Sequence, residues 1–403
     1  MPVITKRSTR LSDGRELIYY DDADTTLSAE RALDGREPME RPATATMRQD
    51  PLTNEWISIA AARQNRVMLP SVEHDPLAPA TASNPSEIPN RYDVAVFENK
   101  SPSFGPLLAD DAAPDGLDDL ATIGLERTAT SVGRCEVVCF SPEPTGSFGT
   151  LSPSRARTVI EAWADRTTHL NAIPSVQQVF PFENRGEAIG VTLHHPHGQI
   201  YAYPYVTPRT HAVLRSLQSY GPTLFADILE SERHSSRVLI AGERWTAFVP
   251  FAARWPIEIH VLPHRHIPDL AETSSEERDE LTLLYLRLLR GLDALYDTPT
   301  PYIAAWHQAP VRVGRDEIRL MLQITSPRRA ADKLKFLAGS ESAMGAWIGD
   351  VTPEQAADAL RAAMERAERN HPVGTLPFTV AGLVDALPGA PVTGSHEELK
   401  QQS

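Results

Sequence analysis

Two stretches of the chain repeat one order of elements, and that order constrains the fold more than any other feature. Ser152-Pro153 supplies a helix cap and a first-turn proline, and Val159, Ile160, Trp163 and Leu170 then recur at helical spacing. Ser274 to Glu277 reads as a capping box that opens a second apolar helix through Leu281, Leu284, Leu288 and Leu292. Strand-like segments flank each helix. Residues 92–97 and 134–140 precede the first, and 176–182 and 188–193 follow it; around the second lie 245–251, 257–262, 302–306 and 318–325. Strand, strand, helix, strand, strand therefore occurs twice, as duplication would produce.

The remaining segments fit around this repeat. Residues 1–46 read as an N-terminal arm in which the apolar island Leu17-Ile18-Tyr19-Tyr20 is an anchoring strand. Residues 47–210 form the first half and 211–384 the second, with a disordered tail over 385–403. A turn at Asp50-Pro51 feeds a strand through Trp56 and Ile59, and 70–91 and 101–130 read as loops. Thr352-Pro353-Glu354-Gln355 caps a last helix reaching Arg369.

Composition narrows the function. With 403 residues, 41% of them hydrophobic, the chain can bury a substantial core. A formal charge of -14 argues against nucleic acid and acidic membrane surfaces, which need broad basic patches. Only two cysteines occur, Cys135 and Cys139, on one face of an alternating stretch; a disulfide framework is excluded and a reducing cytoplasm expected. No run of about 18 apolar residues is present, and Met1–Arg10 lacks an apolar segment of signal-peptide length. Neither a membrane span nor secretion by that route is expected.

Usable chemistry concentrates at Val191–Ile200, which holds His194, His195 and His197 beside Pro196, Gly198 and Gln199. Read as a strand running into a bend, it puts His195 and His197 on one face, while Gly198 leaves room for a ligand. Three imidazoles suit either a metal site or a nucleophile. A neutral imidazole can attack phosphorus if a backbone carbonyl holds one ring nitrogen as N–H, leaving the other its lone pair. Gln199 could then donate to a non-bridging phosphate oxygen. In the second repeat the counterpart stretch, Arg319–Ile324, has no histidine. One half alone should carry the chemistry.

The core His195-Pro196-His197-Gly198-Gln199 is accompanied, in order along the chain, by Asp50–Trp56, Phe97-Glu98-Asn99, Phe182–Gly186, Trp306–Pro310 and Lys335-Phe336. With these motifs the sequence resembles the galactose-1-phosphate uridylyltransferase family of the histidine triad superfamily, from about Arg48 to Arg369. The resemblance implies an α+β fold of duplicated histidine-triad-like half-barrels, antiparallel sheets with helices packed outside, in a homodimer. It implies a ping-pong reaction on UDP-glucose and galactose 1-phosphate, with His197 as nucleophile and Gln199 on the phosphoryl group. Asn99, Asn184 and Thr192 match positions lining the uridine or phosphate site. Lys335 and Phe336 match the start of the hexose-phosphate segment, and Arg48 and Arg63 are cationic partners for the diphosphate. Asn99, Asn184 and Thr192 also fit plain turn-capping roles.

Relatives hold zinc with two cysteines and two histidines, and a second metal through three histidines. Here the cysteine positions are Asp75 and Ala78, one zinc histidine is Pro144, and two ligands of the second metal are Met321 and Gln323. Only His195 and His307 survive, too few for a closed tetrahedral site, so no metal is expected. His195 reads instead as a hydrogen-bonding support with Asp75 or His74 nearby, and His260, His264 and His266 read as a packed or solvated strand edge. Two other readings stay open: a hydrolase or phosphorylase of the same superfamily, and a non-catalytic nucleotide-sugar binder. The intact His197 and Gln199 argue against the last.

Overall fold

The computed structural model describes residues 3–65, 69–106, 121–123, 125–296, 298–373 and 379–380. The tail expected over 385–403 lies outside them. Eight strands come first: β1 (Thr5–Arg10), β2 (Glu16–Asp21), β3 (Thr46–Gln49), β4 (Trp56–Ile59), β5 (Val94–Glu98), β6 (Ala121–Ile123), β7 (Glu126–Thr130) and β8 (Arg134–Cys139). Helix α1 (Pro153–Asn171), β9 (Gln178–Arg185), β10 (His197–Tyr203), α2 (Pro208–Tyr220) and α3 (Leu224–Arg233) follow. The second repeat comprises β11 (Val238–Ala241), β12 (Trp245–Phe248), β13 (Ile257–Pro263), α4 (Ser275–Asp293), β14 (Tyr302–His307) and β15 (Met321–Ser326). Short β16 (Arg328–Ala330), β17 (Lys333–Leu334), α5 (Gly339–Met344), α6 (Pro353–Asn370) and β18 (Thr379–Val380) complete it.

The helix caps form as their sequences dictate. The Ser152 hydroxyl accepts from Arg155 N–H, Ser274 and Glu277 bond reciprocally, and Thr352 pairs with Gln355 in the same way. Helices α2 and α3, which the repeat did not anticipate, are largely exposed; α2 buries only Thr210 and Leu217, too few positions to mark a face.

Twelve strands join in one sheet, in the order β1-β2-β5-β8-β10-β9-β14-β15-β13-β12-β11-β18, and every pairing is antiparallel. Its middle is a mirrored repeat: β5-β8-β10-β9 meets β14-β15-β13-β12 at the β9–β14 pair. Register makes the symmetry residue-specific. Gln199 lies opposite Phe182, Phe182 opposite Ala305, and Ala305 opposite Gln323. Gln323 is thus the positional counterpart of Gln199, and Met321 that of His197.

One face of the sheet carries α1 and α4. Ile200 and Ala202 of β10 point into this core with Val138, Ile160, Trp163 and Leu288. Phe148 links the two helices, stacked on Trp163 at 5.6 Å and packed on Tyr285 at 4.6 Å. Emptying the Trp163 position would cost about 3–5 kcal/mol. The other face is open at β10, where His197, Gln199, Tyr201 and Tyr203 are half-buried and the residues between them buried.

The expected anchoring strand is present, and two other expectations change. The island Leu17–Tyr20 is β2, paired with β1 and β5 and buried on both sides, so the arm is an integral edge of the large sheet. Part of the 101–130 loop is the strand β7, which joins β4, β3 and β6 in a separate four-stranded sheet. Met47 packs that sheet on Phe104, Cys135 and Tyr201. Residues 188–193 are not a strand. They follow Gly186 (φ +99°) and include Gly190 (φ +82°), whose left-handed backbone breaks an extended run.

Candidate active site

The histidine motif therefore begins a strand where the sequence had suggested that it ends one. The Phe140 N–H donates to the Pro196 carbonyl at 3.0 Å, and β10 starts one residue later with His197 opposite Cys139. Gly198 turns to the helix side. A Cβ there would stand 2.8 Å from the Phe140 ring and 2.9 Å from the Phe182 carbonyl, so the glycine makes room for the core and not for a ligand.

His197 Nδ1 lies 2.7 Å from the His195 carbonyl. Since a carbonyl only accepts, Nδ1 carries the hydrogen and Nε2 keeps its lone pair. Burial pushes the His197 pKa below the usual histidine value, against the opposing effect of the bond to the His195 carbonyl. The ring is therefore a neutral base at neutral pH. Gln199, two residues on, shares its face, and extending the β9–β10 register by two pairs brings Asn184 opposite His197.

His195 precedes the strand, and its side chain is fully enclosed. Nδ1 is 2.6 Å from an Asp75 carboxylate oxygen, and Nε2 is 2.8 Å from the Ser141 carbonyl and 3.0 Å from the Tyr92 hydroxyl. Of the two neighbours expected for it, Asp75 is present; His74 bonds Ser71 at 3.0 Å. His194 is exposed, 3.4 Å from Glu187.

Arg63 and Asn99 meet in one turn. Arg63 donates to the Ser101 carbonyl at 3.1 Å, the Ser101 N–H donates to the Asn99 side chain at 2.9 Å, and the Asn99 N–H donates to the Cys135 carbonyl at 2.8 Å. Cys135 is four residues along β8 from the His197 end, about 13 Å at strand rise. The Thr192 carbonyl accepts from Leu69 N–H at 2.8 Å, and its side chain is half-buried. Arg48 is exposed on the small sheet, on the face opposite the buried Met47.

Lys335 does not reach His197 within the chain. It is buried, with its ammonium on the Ile348 and Arg254 carbonyls, 3.4 Å from Glu341 and 5.9 Å from the Trp347 ring centre. A lysine meant for a phosphate would here first have to give up Glu341. Phe336 beside it is 75% exposed.

The second half answers with a closed polar network. His307 Nε2 lies 3.0 Å from Gln323 Oε1, Gln323 Nε2 donates to Glu258 at 2.6 Å, and Glu258 is 3.0 Å from His260 Nε2. Burial pushes the His307 pKa down to about 3. His260 is thus an interior member of the network and not a strand-edge residue, because β13 lies between β12 and β15. Sequence reasoning placed Asp75 near His195 and missed the contacts of Tyr92 and Glu258.

The residues present do not suit the metals of relatives. Ala78 and Pro144 bring no ligand, and both nitrogens of His195 already face oxygen atoms. Among the described residues no three or more His, Cys, Asp or Glu side chains converge on a metal position. No helix among them is long and apolar enough to cross a membrane.

Comparison with known proteins agrees with this arrangement. Residues 36–207 match the model for galactose-1-phosphate uridyl transferase, N-terminal domain, and 209–371 match the C-terminal domain. The galactose-1-phosphate uridylyltransferase of Streptomyces lividans is 42% identical over 386 residues, which cover 90% of this chain and 99% of that one. That of Thermotoga maritima is 33% identical, covering 78% of this chain and 97% of the other. A solved structure of a uridylyltransferase superposes with a TM-score of 0.70 at 29% identity, covering 80% of this chain and 99% of that one. With both domain models matched in order across the two halves, the chain belongs to the galactose-1-phosphate uridylyltransferase family.

Proposed function

We propose that the chain transfers a uridylyl group from UDP-glucose to galactose 1-phosphate through a covalent intermediate on His197. The observation that carries this reading is the bond from His197 Nδ1–H to the His195 carbonyl, which leaves Nε2 as an in-place nucleophile. Nε2 attacks the α-phosphorus; a P–N bond forms, the bond to the bridging oxygen breaks, and glucose 1-phosphate leaves with that electron pair. The positive charge that develops on the ring is spread toward the His195 carbonyl. A phosphate oxygen of galactose 1-phosphate then attacks the same phosphorus, releases UDP-galactose and restores the neutral imidazole. The Gln199 amide supports the phosphoryl oxygens. Asn184 and Thr192 line the same region, and Asn99 and Arg63 stand a nucleoside's reach away along β8.

Among the described residues no contact joins Arg48, Lys335 or Phe336 to His197, and we assign them to a site completed by another copy of the chain. This favours a homodimer, working on small sugar phosphates in the cytoplasm. Incubation with UDP-glucose labelled in the uridylyl group tests the reaction. An acid-labile adduct on His197 discharged by galactose 1-phosphate is expected. Discharge by water or inorganic phosphate would replace the transferase reading with a hydrolase or phosphorylase, and the absence of any adduct would leave a binding protein.

A further inference from the structure

His195 is the most completely enclosed imidazole of the motif, yet the transfer gives its ring nothing to do. Its side chain has 0% exposure, and both ring nitrogens face acceptors: the Asp75 carboxylate at 2.6 Å, and the Ser141 carbonyl at 2.8 Å. The Tyr92 hydroxyl lies 3.0 Å from His195 Nε2 and has the Leu77 carbonyl at 2.7 Å and the Ser141 carbonyl at 2.9 Å as its acceptors. Both ring nitrogens are thus taken up by oxygen partners, and neither is turned to an open metal position.

Asp75 is itself held. One of its carboxylate oxygens accepts from Leu77 N–H at 2.9 Å, its carbonyl accepts from the Asn84 amide at 2.8 Å, and the 70–91 loop closes on itself where Ala80 N–H donates to Ile88. Leu77, Ile88 and Tyr92 bury the loop against the sheet. Fixed in this way, the His195 ring fixes its own backbone, and the carbonyl of that residue is the acceptor that selects the His197 tautomer.

We propose that Asp75 is a positioning residue for His197: its hydrogen bond with His195 is a metal-free support that holds the His195 carbonyl where it keeps His197 in the Nδ1–H form. This rests on the transfer reading above and adds to it the part played by a carboxylate 120 positions away in sequence. A buried carboxylate–imidazole pair with all its hydrogen-bonding atoms used can replace a metal as a rigid anchor, because its partners leave the ring no second orientation.

The test is Asp75→Asn in the full chain, which keeps size and shape and removes the charge. Nitrogen-15 NMR of histidine-labelled protein should find His197 in a single Nδ1–H tautomer in the wild type and exchanging between tautomers in the variant. Adduct formation should slow by about 10–100-fold, while half-saturation by UDP-glucose stays close to wild type, since no substrate contact is lost. Should Asp75→Asn not fold, Tyr92→Phe removes the hydroxyl beside Nε2 and should move both signals the same way by less. An unchanged tautomer and rate in the folded variant would overturn the proposal. So would one equivalent of zinc retained per chain, with loss of a His195 N–H signal on adding zinc alone. If the wild type forms no adduct, the transfer reading fails, and the His197 tautomer in the variant still decides the role of Asp75.

Discussion

The two halves place the same polar residue at the same point of one sheet and use it in opposite ways. Gln199 faces the open side beside a half-buried imidazole, and among the described residues nothing bonds its amide. Gln323, its counterpart, is tied to His307 and Glu258, with His260 at 3.4 Å. His197 has become Met321, and Asn184 has its counterpart in His307. A site able to act on a substrate keeps donors and lone pairs unspent; a half freed from that task can satisfy them internally and gain rigidity.

The sharpest way to break this comparison is at the nucleophile. His197→Asn should remove transfer by about 10⁴-fold or more while thermal unfolding stays cooperative and near wild type. Measurable steady-state turnover in that variant would strip His197 of its role. Conversely, Met321→His restores a histidine to the silent half. It should not create a second site, because nothing equivalent to the Asp75-supported His195 carbonyl stands behind it; protein mass spectrometry should still find one uridylyl group per chain.

The two glutamines should then separate by kind of effect. Gln199→Ala should lower kcat by about 10²–10³-fold, as loss of a donor to the transferring group does, with little change in stability. Gln323→Ala should leave kcat near wild type and cost about 1–3 kcal/mol in denaturant unfolding, since it leaves the fully buried Glu258 and the His307 ring short of partners. The comparison fails if both variants lose activity alike.

The repeat of elements could be read from the sequence because its signals are local. Ser152, Ser274 and Thr352 cap helices through residues three positions away, so no tertiary knowledge was needed. Strand ends were read less well. Residues 188–193 look extended by composition, yet the glycines at 186 and 190 turn the chain with positive φ, and Gly186 lies where a Cβ would meet Pro301 at 2.9 Å. His197 and Gln199 were legible as a motif. Their residue-by-residue relation to Met321 and Gln323 needed the register of the sheet, and the choice of Asp75 over His74 as the partner of His195 needed a loop folding back over 120 residues. The exposed helices α2 and α3 offered too few buried positions to stand out.

Acidity gives a smaller but directional contrast. Because burial holds the His197 pKa below the usual value of about 6.5, the neutral nucleophile persists into mildly acidic solution. Single-turnover adduct formation should therefore lose half its rate at a pH below 6.5. A midpoint at or above that value would mean that the ring is not desolvated as its position implies.

The last contrast concerns His307, whose pKa in the fold is depressed to about 3. The unfolded chain binds a proton there near pH 6.5 and the folded chain does not, so the unfolded state gains as acidity rises. The stability this group contributes is present above about pH 6.5 and is lost progressively as pH falls toward 3, by at most about 1.4 kcal/mol per pH unit for one proton. His307→Asn gives the second half the residue that its counterpart position carries in the first. Asparagine can still donate to Gln323 and cannot take up the proton, so the variant should lose less stability between pH 6.5 and 4 than the wild type, with equal or slightly lower stability at pH 8. Urea unfolding across that range measures the difference in slope. Parallel curves would mean that His307 is protonated in the folded protein as readily as in the unfolded one, and that the second half is not the sealed network its hydrogen bonds describe.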